Sequence, residues 1–238
     1  TELRKAQFKL AQMEKMQVIA TLASGVAHEV KNPLGVILQG VEYLAKKIKT
    51  DDQNVYLTLG YIKEAVERAD EVIKGLLDFS HSSELILQLC NLNEIIEKSL
   101  LLVRHHFDKY HISVHKELQS DLPAIKVDKN RVEQVFINLF LNAIYAMSGG
   151  GKLTVRSYSK KMEKKGRVII VNIEDTGKGI PPEMMNRIFD PFFTTRRSRG
   201  GTGLGLPIVK NIMELHNGEI IVENKDEGGV RVTLIFRV

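Results

Sequence analysis

The sequence predicts two architectures in one chain: an all-α antiparallel helical hairpin, then an α/β two-layer sandwich with a mixed sheet. Three observations carry this. Apolar residues over 2–82 recur at helical spacing in two long runs. From residue 90 onward, helical and strand periods are mixed, with β-rich connections near the end. Between them, Phe79-Ser80-His81-Ser82-Ser83 interrupts the helical rhythm. The expected bounds are a hairpin over 1–82, a hinge over 83–92 and a sandwich over 93–238.

The first helix carries Ile19, Ala23, Val26, Val30, Leu34, Ile37, Val41, Leu44 and Ile48 on one stripe. The second repeats Val55, Leu59, Ile62, Val66, Ala69, Ile73 and Leu76 in a 4-3-4-3 rhythm, the seam of a coiled coil or bundle. The connection near Thr50-Asp51-Asp52-Gln53-Asn54 is short and polar, so the helices fold back antiparallel. Two amphipathic helices leave apolar surface uncovered, and a second copy would complete a four-helix bundle, so a homodimer is expected.

On that wheel, at about 100° per residue, His28 falls roughly 180° from the stripe, beside Thr21, Asn32, Gln39 and Lys46. His-Glu followed by Asn32 is not the zinc pattern HExxH, because the second ligand is missing. Pro33 removes a helical hydrogen bond and crowds the preceding turn, which predicts a kink or loosened turn just after His28.

In the second half the pattern predicts helices over 93–108, 129–147 and 205–216. Strands are predicted over 111–118, 152–158, 167–174, 219–223 and 230–237. The 238 residues are 43% hydrophobic and 26% charged, enough for a real core and inconsistent with disorder. A net charge of +5 suits a polyanionic ligand such as a nucleotide, an acidic protein, or simply a solvated surface. It does not argue for nucleic acid, and the basic run over 160–167 reads as a solvated hairpin turn. Cys90 is the single cysteine, so no intramolecular disulfide forms, which suits a reducing, cytoplasmic setting. No apolar run approaches the ~20 residues of a membrane span, and no membrane contact is expected of this stretch. The chain begins inside a helical pattern, which leads to the expectation of an upstream sensor domain in a longer protein whose full length is membrane-anchored or free.

Three segments carry candidate chemistry. Asn138 and Asn142 lie one helical turn apart in NLFLNA, on a helix otherwise apolar around them. Their amide oxygens suit Mg²⁺, or they are structural amides paired in the core. Asp175 opens DTGKG just past the apolar strand 168–173. It either closes a turn or accepts a hydrogen bond from an exocyclic amine, with Gly177 and Gly179 allowing close backbone approach. Gly201, Gly203 and Gly205 in GGTGLGLPIVK feed a helix N-terminus, a phosphate cradle that is neither a Walker A loop nor a dinucleotide fingerprint. Between these loops, residues 181–200 read as a lid, with Arg196, Arg197 and Arg199 either facing phosphate or solvated.

The order and spacing of HExxNP, the Asn pair, DxGxG, FDPFF and GTGLGL are specific, and over essentially the whole chain they resemble the sensor histidine kinases of two-component signalling. The resemblance implies a dimerisation and histidine-phosphotransfer hairpin followed by a catalytic ATP-binding domain. That domain would have the GHKL (Bergerat) fold shared with gyrase and heat-shock chaperone ATPases. By resemblance His28 is the phosphoacceptor, and Glu29 holds or accepts its Nδ1 proton. Asn142 binds Mg²⁺, with Asn138 lining the same site. Asp175 reads the adenine amino group, and Gly177, Gly179 and Ile180 pack the loop on the base. Gly201, Thr202, Gly203, Leu204, Gly205 and Leu206 wrap the phosphates of ATP, and Thr233 supports the adenine pocket. The phosphoryl group would pass to an aspartate of a response-regulator receiver domain, and Asn32 would position a hydrolytic water for phosphatase activity. In one departure, many relatives carry Lys or Arg three residues after the metal Asn, where this chain has Tyr145. NAIYAM is closer to the nitrogen-regulation subgroup than to the osmosensor subgroup, and Arg196 is assigned the missing cation. The competing readings are a GHKL ATPase that uses ATP only as a conformational clamp, a non-catalytic scaffold, and a zinc site at His105-His106 or His111 with His115.

Overall fold

The computed structural model describes residues 30–50, 52–80, 85–162, 166–196 and 201–238. The chain divides into two compact units, residues 1–83 with 194–204, and residues 84–193 with 205–238.

In the first unit, helix α1 covers the described residues 30–47 and helix α2 spans Gln53–Ser80. Asp52 starts α2 by accepting from Asn54 N–H at 2.9 Å, which satisfies one of the amides that every helix start leaves unpaired. Tyr56 Oη donates to Ile48 O at 3.0 Å, and Lys63 pairs with Glu42 at 3.5 Å, so the helices run antiparallel as the short connection predicted. Val41, Leu59 and Val66 are buried, but Val30, Ile37, Leu44 and Ile62 on the same stripes are exposed. His28 and Glu29 lie outside the described residues, as do Thr21 and the first three stripe positions. Helical structure runs from Val30 through Pro33, and the start of the turn just after His28, where a kink or loosened turn is expected, lies outside the described residues.

The second unit is the mixed sandwich. Its elements are β1 (Gln88–Cys90), α3 (Leu92–Leu102), α4 (Arg104–Lys109), β2 (Ile112–Leu118), β3 (Ile125–Val127) and α5 (Lys129–Ala146). They continue with β4 (Gly151–Met162), β5 (Gly166–Glu174), α6 (Pro182–Met185), α7 (Gly205–Leu215), β6 (Glu219–Asn224) and β7 (Val230–Arg237). The main sheet has the order β2-β4-β5-β7-β6, parallel between β2 and β4 and antiparallel elsewhere. The parallel pair needs a long crossover, and α5 lies within it.

Two departures from the sequence expectation have local causes. The helix expected over 93–108 is two helices, because Val103 leaves helical geometry at φ −100°, ψ 7°. The expected linker over 83–92 contains β1, which pairs with β3 in a separate ribbon, Cys90 opposite Ile125. These strands are three residues each, too short for periodicity to register.

Pleat alternation divides the sheet into two faces. Ser157 donates to Asn93 of α3 at 2.7 Å, so its face, shared across the register with Val171 and Leu234, is the helix side. The core there includes Leu153, Val155, Ile169, Val171, Leu234 and Phe236, all buried. The helices α3, α5 and α7 pack side by side. Opposite, Glu117, Arg156, Glu174, Arg231 and Glu223 form an alternating ladder across all five strands, with contacts of 2.7 to 3.2 Å.

A joint ties three segments together. Asp128 caps α5 by accepting from Asn130 and Arg131 N–H at 3.1 Å each, while its other oxygen accepts from Ile86 N–H at 3.1 Å. Its own N–H donates to His216 Nε2 at 2.9 Å, just beyond α7. A bare Nε2 leaves the ring proton on Nδ1, which lies 2.8 Å from Ile212 O. No described helix is long and apolar enough to cross a membrane.

Candidate functional site

Asp175 follows the last residue of β5 and is 6% exposed. Its Oδ1 accepts from Gly177 N–H at 2.8 Å and from Val230 N–H at 3.3 Å. Its Oδ2 has no hydrogen bond among the described residues, so one carboxylate oxygen is fixed and the other is left as an acceptor. Burial pushes the Asp175 pKa up from its ordinary 3.8; the two backbone donors and Lys225 oppose that shift.

Two glycines permit this geometry. A Cβ on Gly177 would sit 2.8 Å from Ala146 Cβ and 2.9 Å from Ala146 O, so the loop lies directly on the end of α5. Gly229 has φ +85°, and a Cβ there would collide with Asp175 O.

Asn138 and Asn142 share one face of α5, as the spacing predicted. A Cβ on Gly205, the first residue of α7, would lie 3.8 Å from Asn138 Oδ1 and 3.8 Å from Asn142 Nδ2. The amide pair and the start of α7 therefore meet. Asn142 is exposed, whereas Asn138 Nδ2 is buried without a hydrogen-bond partner among the described residues, a costly state that a polar ligand would relieve.

The segment 201–204 is described by itself. Gly201 N–H donates to Arg196 O at 3.0 Å, and Leu204 N–H to Thr202 Oγ1 at 3.3 Å. Gly203 has φ +70°. Arg196 is half-buried, and its N–H donates to Thr194 Oγ1 at 3.0 Å. Leu206 is half-buried on α7. Arg197 and Arg199 lie outside the described residues. The first part of the expected lid carries two cation–ring contacts. Arg187 lies 4.4 Å from the Phe193 ring centre, and Lys210 of α7 lies 5.2 Å from that of Phe189. Tyr145 packs edge-on against Tyr110, ring centres 6.5 Å apart.

Thr233 requires a correction. It pairs across the sheet with Asn172 and Ile221, on the charged-ladder face rather than the helix face. It therefore does not join Asp175, because a strand position odd by one residue points to the other side. Val230 takes the place expected of it: its O accepts from Asp175 N–H, and its N–H donates to Asp175 Oδ1. Asn224 and Lys225 were also missed: Asn224 holds Ile180, and Lys225 Nζ donates to Asp175 O at 3.4 Å. Gly228-Gly229 just before a strand was the available signal.

These features fit a nucleotide. They comprise a strand-end carboxylate with a free oxygen, glycines whose side chains would fill the approach, and an unpaired buried amide. They also fit Mg²⁺, within a limit. Among the described residues no three His, Cys, Asp or Glu side chains gather, so Asn142 and Asn138 offer only neutral amide oxygens. A cation held there would take its anionic ligands from bound phosphates.

Fold and site together define a nucleotide-binding sandwich joined to a helical hairpin. Two family models match in the same order. Residues 19–85 match the His Kinase A (phospho-acceptor) domain, and residues 127–238 match the histidine kinase-, DNA gyrase B- and HSP90-like ATPase. The sensor histidine kinase ZraS of Salmonella typhi is 37% identical over 221 residues, 93% of this chain and 46% of that protein. The signal transduction histidine-protein kinase AtoS of Escherichia coli is 32% identical over 238 residues, 100% of this chain and 38% of that protein. Among solved structures, a catalytic domain of histidine kinase ThkA is 34% identical with TM-score 0.55, covering 63% of this chain and 95% of that one. ThkA in complex with the response regulator TrrA is 29% identical with TM-score 0.67, covering 100% of this chain and 67% of that one. The chain belongs to the sensor histidine kinases of two-component systems. It spans about half the length, or less, of the curated relatives it matches.

Proposed function

We propose that this chain is the autokinase part of a sensor kinase, transferring the γ-phosphoryl group of ATP to His28 and then to an aspartate of a response regulator. The observation that carries the reading is Asp175, buried at a strand end with one oxygen fixed by two backbone donors and the other free. That is an acceptor for the exocyclic amine of adenine. Asn142 and Asn138 would hold Mg²⁺, which supplies charge neutralisation at the phosphates. Gly201 to Leu206 would line the phosphates with backbone N–H groups, and Arg196 would add a positive charge.

In the transfer itself, His28 Nε2 forms a bond to the γ-phosphorus as the bond to the β,γ-bridging oxygen breaks, releasing ADP. Glu29 takes or holds the Nδ1 proton, keeping a lone pair on Nε2. Catalysis of this kind is mainly positioning and charge stabilisation, so the residues need only bring the groups into line. The exposed stripe of Val30, Ile37, Leu44 and Ile62 supports a homodimeric four-helix bundle. The regulator seen with ThkA supports a receiver domain as the second partner. Asn32 is exposed on α1, where it would orient a water for regulator dephosphorylation. Full phosphatase activity in an Asn32→Ala protein that autophosphorylates normally would sink that part.

The test of the main reading is incubation with γ-labelled ATP and Mg²⁺, comparing the chain with His28→Gln. An acid-labile, base-stable label that the variant lacks is expected. ATP hydrolysis with no label on the protein would replace this reading with a clamp-type ATPase.

A further inference from the structure

The loop from Asp175 to Ile180 is held at its near end by β7 and at its far end by a single side chain. Asn224, the last residue of β6, accepts from Ile180 N–H through Oδ1 at 2.8 Å and donates to Ile180 O through Nδ2 at 2.7 Å. A primary amide has both groups on one plane, so it pairs with a residue's N–H and C=O as a neighbouring strand would. Gly179, at φ +73°, makes the approach possible: a Cβ there would lie 3.2 Å from Asn224 Oδ1. At the near end, Val230 exchanges hydrogen bonds with Asp175, and Lys225 reaches Asp175 O at 3.4 Å. The short span between the two anchors contains two glycines, and without the far one it would have many conformations to lose on binding.

We propose that Asn224 is a positioning residue for base recognition, fixing the far end of this loop so that it meets the nucleotide base already closed. The proposal rests on the reading of Asp175 as the adenine acceptor. It concerns the base end of the site alone, which makes it separable from folding and from phosphate binding.

The experiment measures displacement of a fluorescent nucleotide from the whole chain, with Mg²⁺, by ATP, GTP and inorganic tripolyphosphate. Asn224→Ala is expected to weaken ATP about tenfold and to lower the ATP-over-GTP ratio by a similar factor, with tripolyphosphate unchanged. Asn224→Asp keeps an acceptor for Ile180 N–H but sets a carboxylate oxygen against Ile180 O, so it is expected to lower the ATP-over-GTP ratio at least as much as Asn224→Ala. The melting temperature of the ligand-free variants stays within about 2 °C of the parent, as for other exposed substitutions. An unchanged ATP-over-GTP ratio in Asn224→Ala overturns the proposal while leaving the Asp175 reading intact. Equal losses for ATP and tripolyphosphate overturn it in favour of a general structural role. A parent chain that does not distinguish ATP from GTP overturns the Asp175 reading, and this proposal with it.

Discussion

Replacing Asp175 with Asn separates recognition from folding. Asp175 Oδ1 accepts from two backbone N–H groups, at 2.8 and 3.3 Å. An asparagine must turn its carbonyl to those donors, which forces its NH₂ to where Oδ2 now stands. The side chain then presents a donor where the adenine amine also donates. A charge-assisted hydrogen bond worth about 1.5–3 kcal/mol is lost, and a donor is left facing a donor. We expect a net loss of about 3 kcal/mol, or roughly two orders of magnitude in ATP affinity. Inosine triphosphate, whose base carries a carbonyl oxygen at that position, should lose much less. Stability moves the other way. Burial raises the Asp175 pKa above its ordinary 3.8, so the folded chain binds that proton more tightly than the unfolded chain. Ionising Asp175 therefore subtracts from stability as pH rises through the folded-state value, and this cost is absent below 3.8. The Asn variant removes the cost and should melt no lower than the parent at neutral pH. Calorimetric titration with both nucleotides and melting curves at several pH values test both halves. Equal weakening of ATP and inosine triphosphate would refute the argument.

Asn138→Leu should raise stability by about 1 kcal/mol, because it removes a buried donor without a partner, while nucleotide binding falls; melting and titration of one sample read both. Asn142→Ala should weaken ATP in the presence of Mg²⁺ but hardly alter ATP binding in a chelator, which paired titrations with and without the metal distinguish. Glu174→Gln takes the central acid out of a ladder joining Arg156, Arg231 and Lys225; since both arginines are partly exposed, the loss is about 1–2 kcal/mol and shrinks in high salt. His216→Phe deletes the acceptor for Asp128 N–H, and should lower kcat for autophosphorylation at saturating ATP more than it lowers ATP affinity.

The larger elements were legible because burial writes its period into the sequence. The apolar run Val168–Val171, with Ile173 beyond Asn172, and the alternation Val230, Val232, Leu234, Phe236 each mark a buried strand, and both appear at the expected place. The amide pair was legible for the same reason, since polar residues one turn apart on an apolar helix stand out. What was not legible depends on contacts distant in sequence. Asn224 and Ile180 are 44 residues apart, and Asp128 and His216 are 88 apart. No local pattern reports such a pairing. Thr233 was misplaced for a subtler reason: its residue type suits a pocket, but the register of β7 against β5 sends its side chain to the opposite face.

The two ends of the candidate site are anchored by different mechanics. At the base end the loop is clamped locally, by backbone bonds to Val230 and by the Asn224 amide, so a defect there stays local. The other end depends on a lever. Helix α7 begins at Gly205 beside the two asparagines, and it is fixed just past its far end, where His216 meets Asp128. Its 11 residues span about 16 Å. A tilt of about 5° around that far end would move the start of the helix by roughly 1.4 Å, a displacement that costs phosphoryl transfer on the order of a hundredfold. Asp128 meets His216 through its backbone N–H, while its carboxylate holds Ile86 N–H and caps α5, the helix that carries the asparagines. One buried acid thus sets the strand-to-helix entry, the start of the amide helix and the pivot of α7 together, so a shift in the chain around residue 86 is coupled by hydrogen bonds to both helices that meet at Gly205.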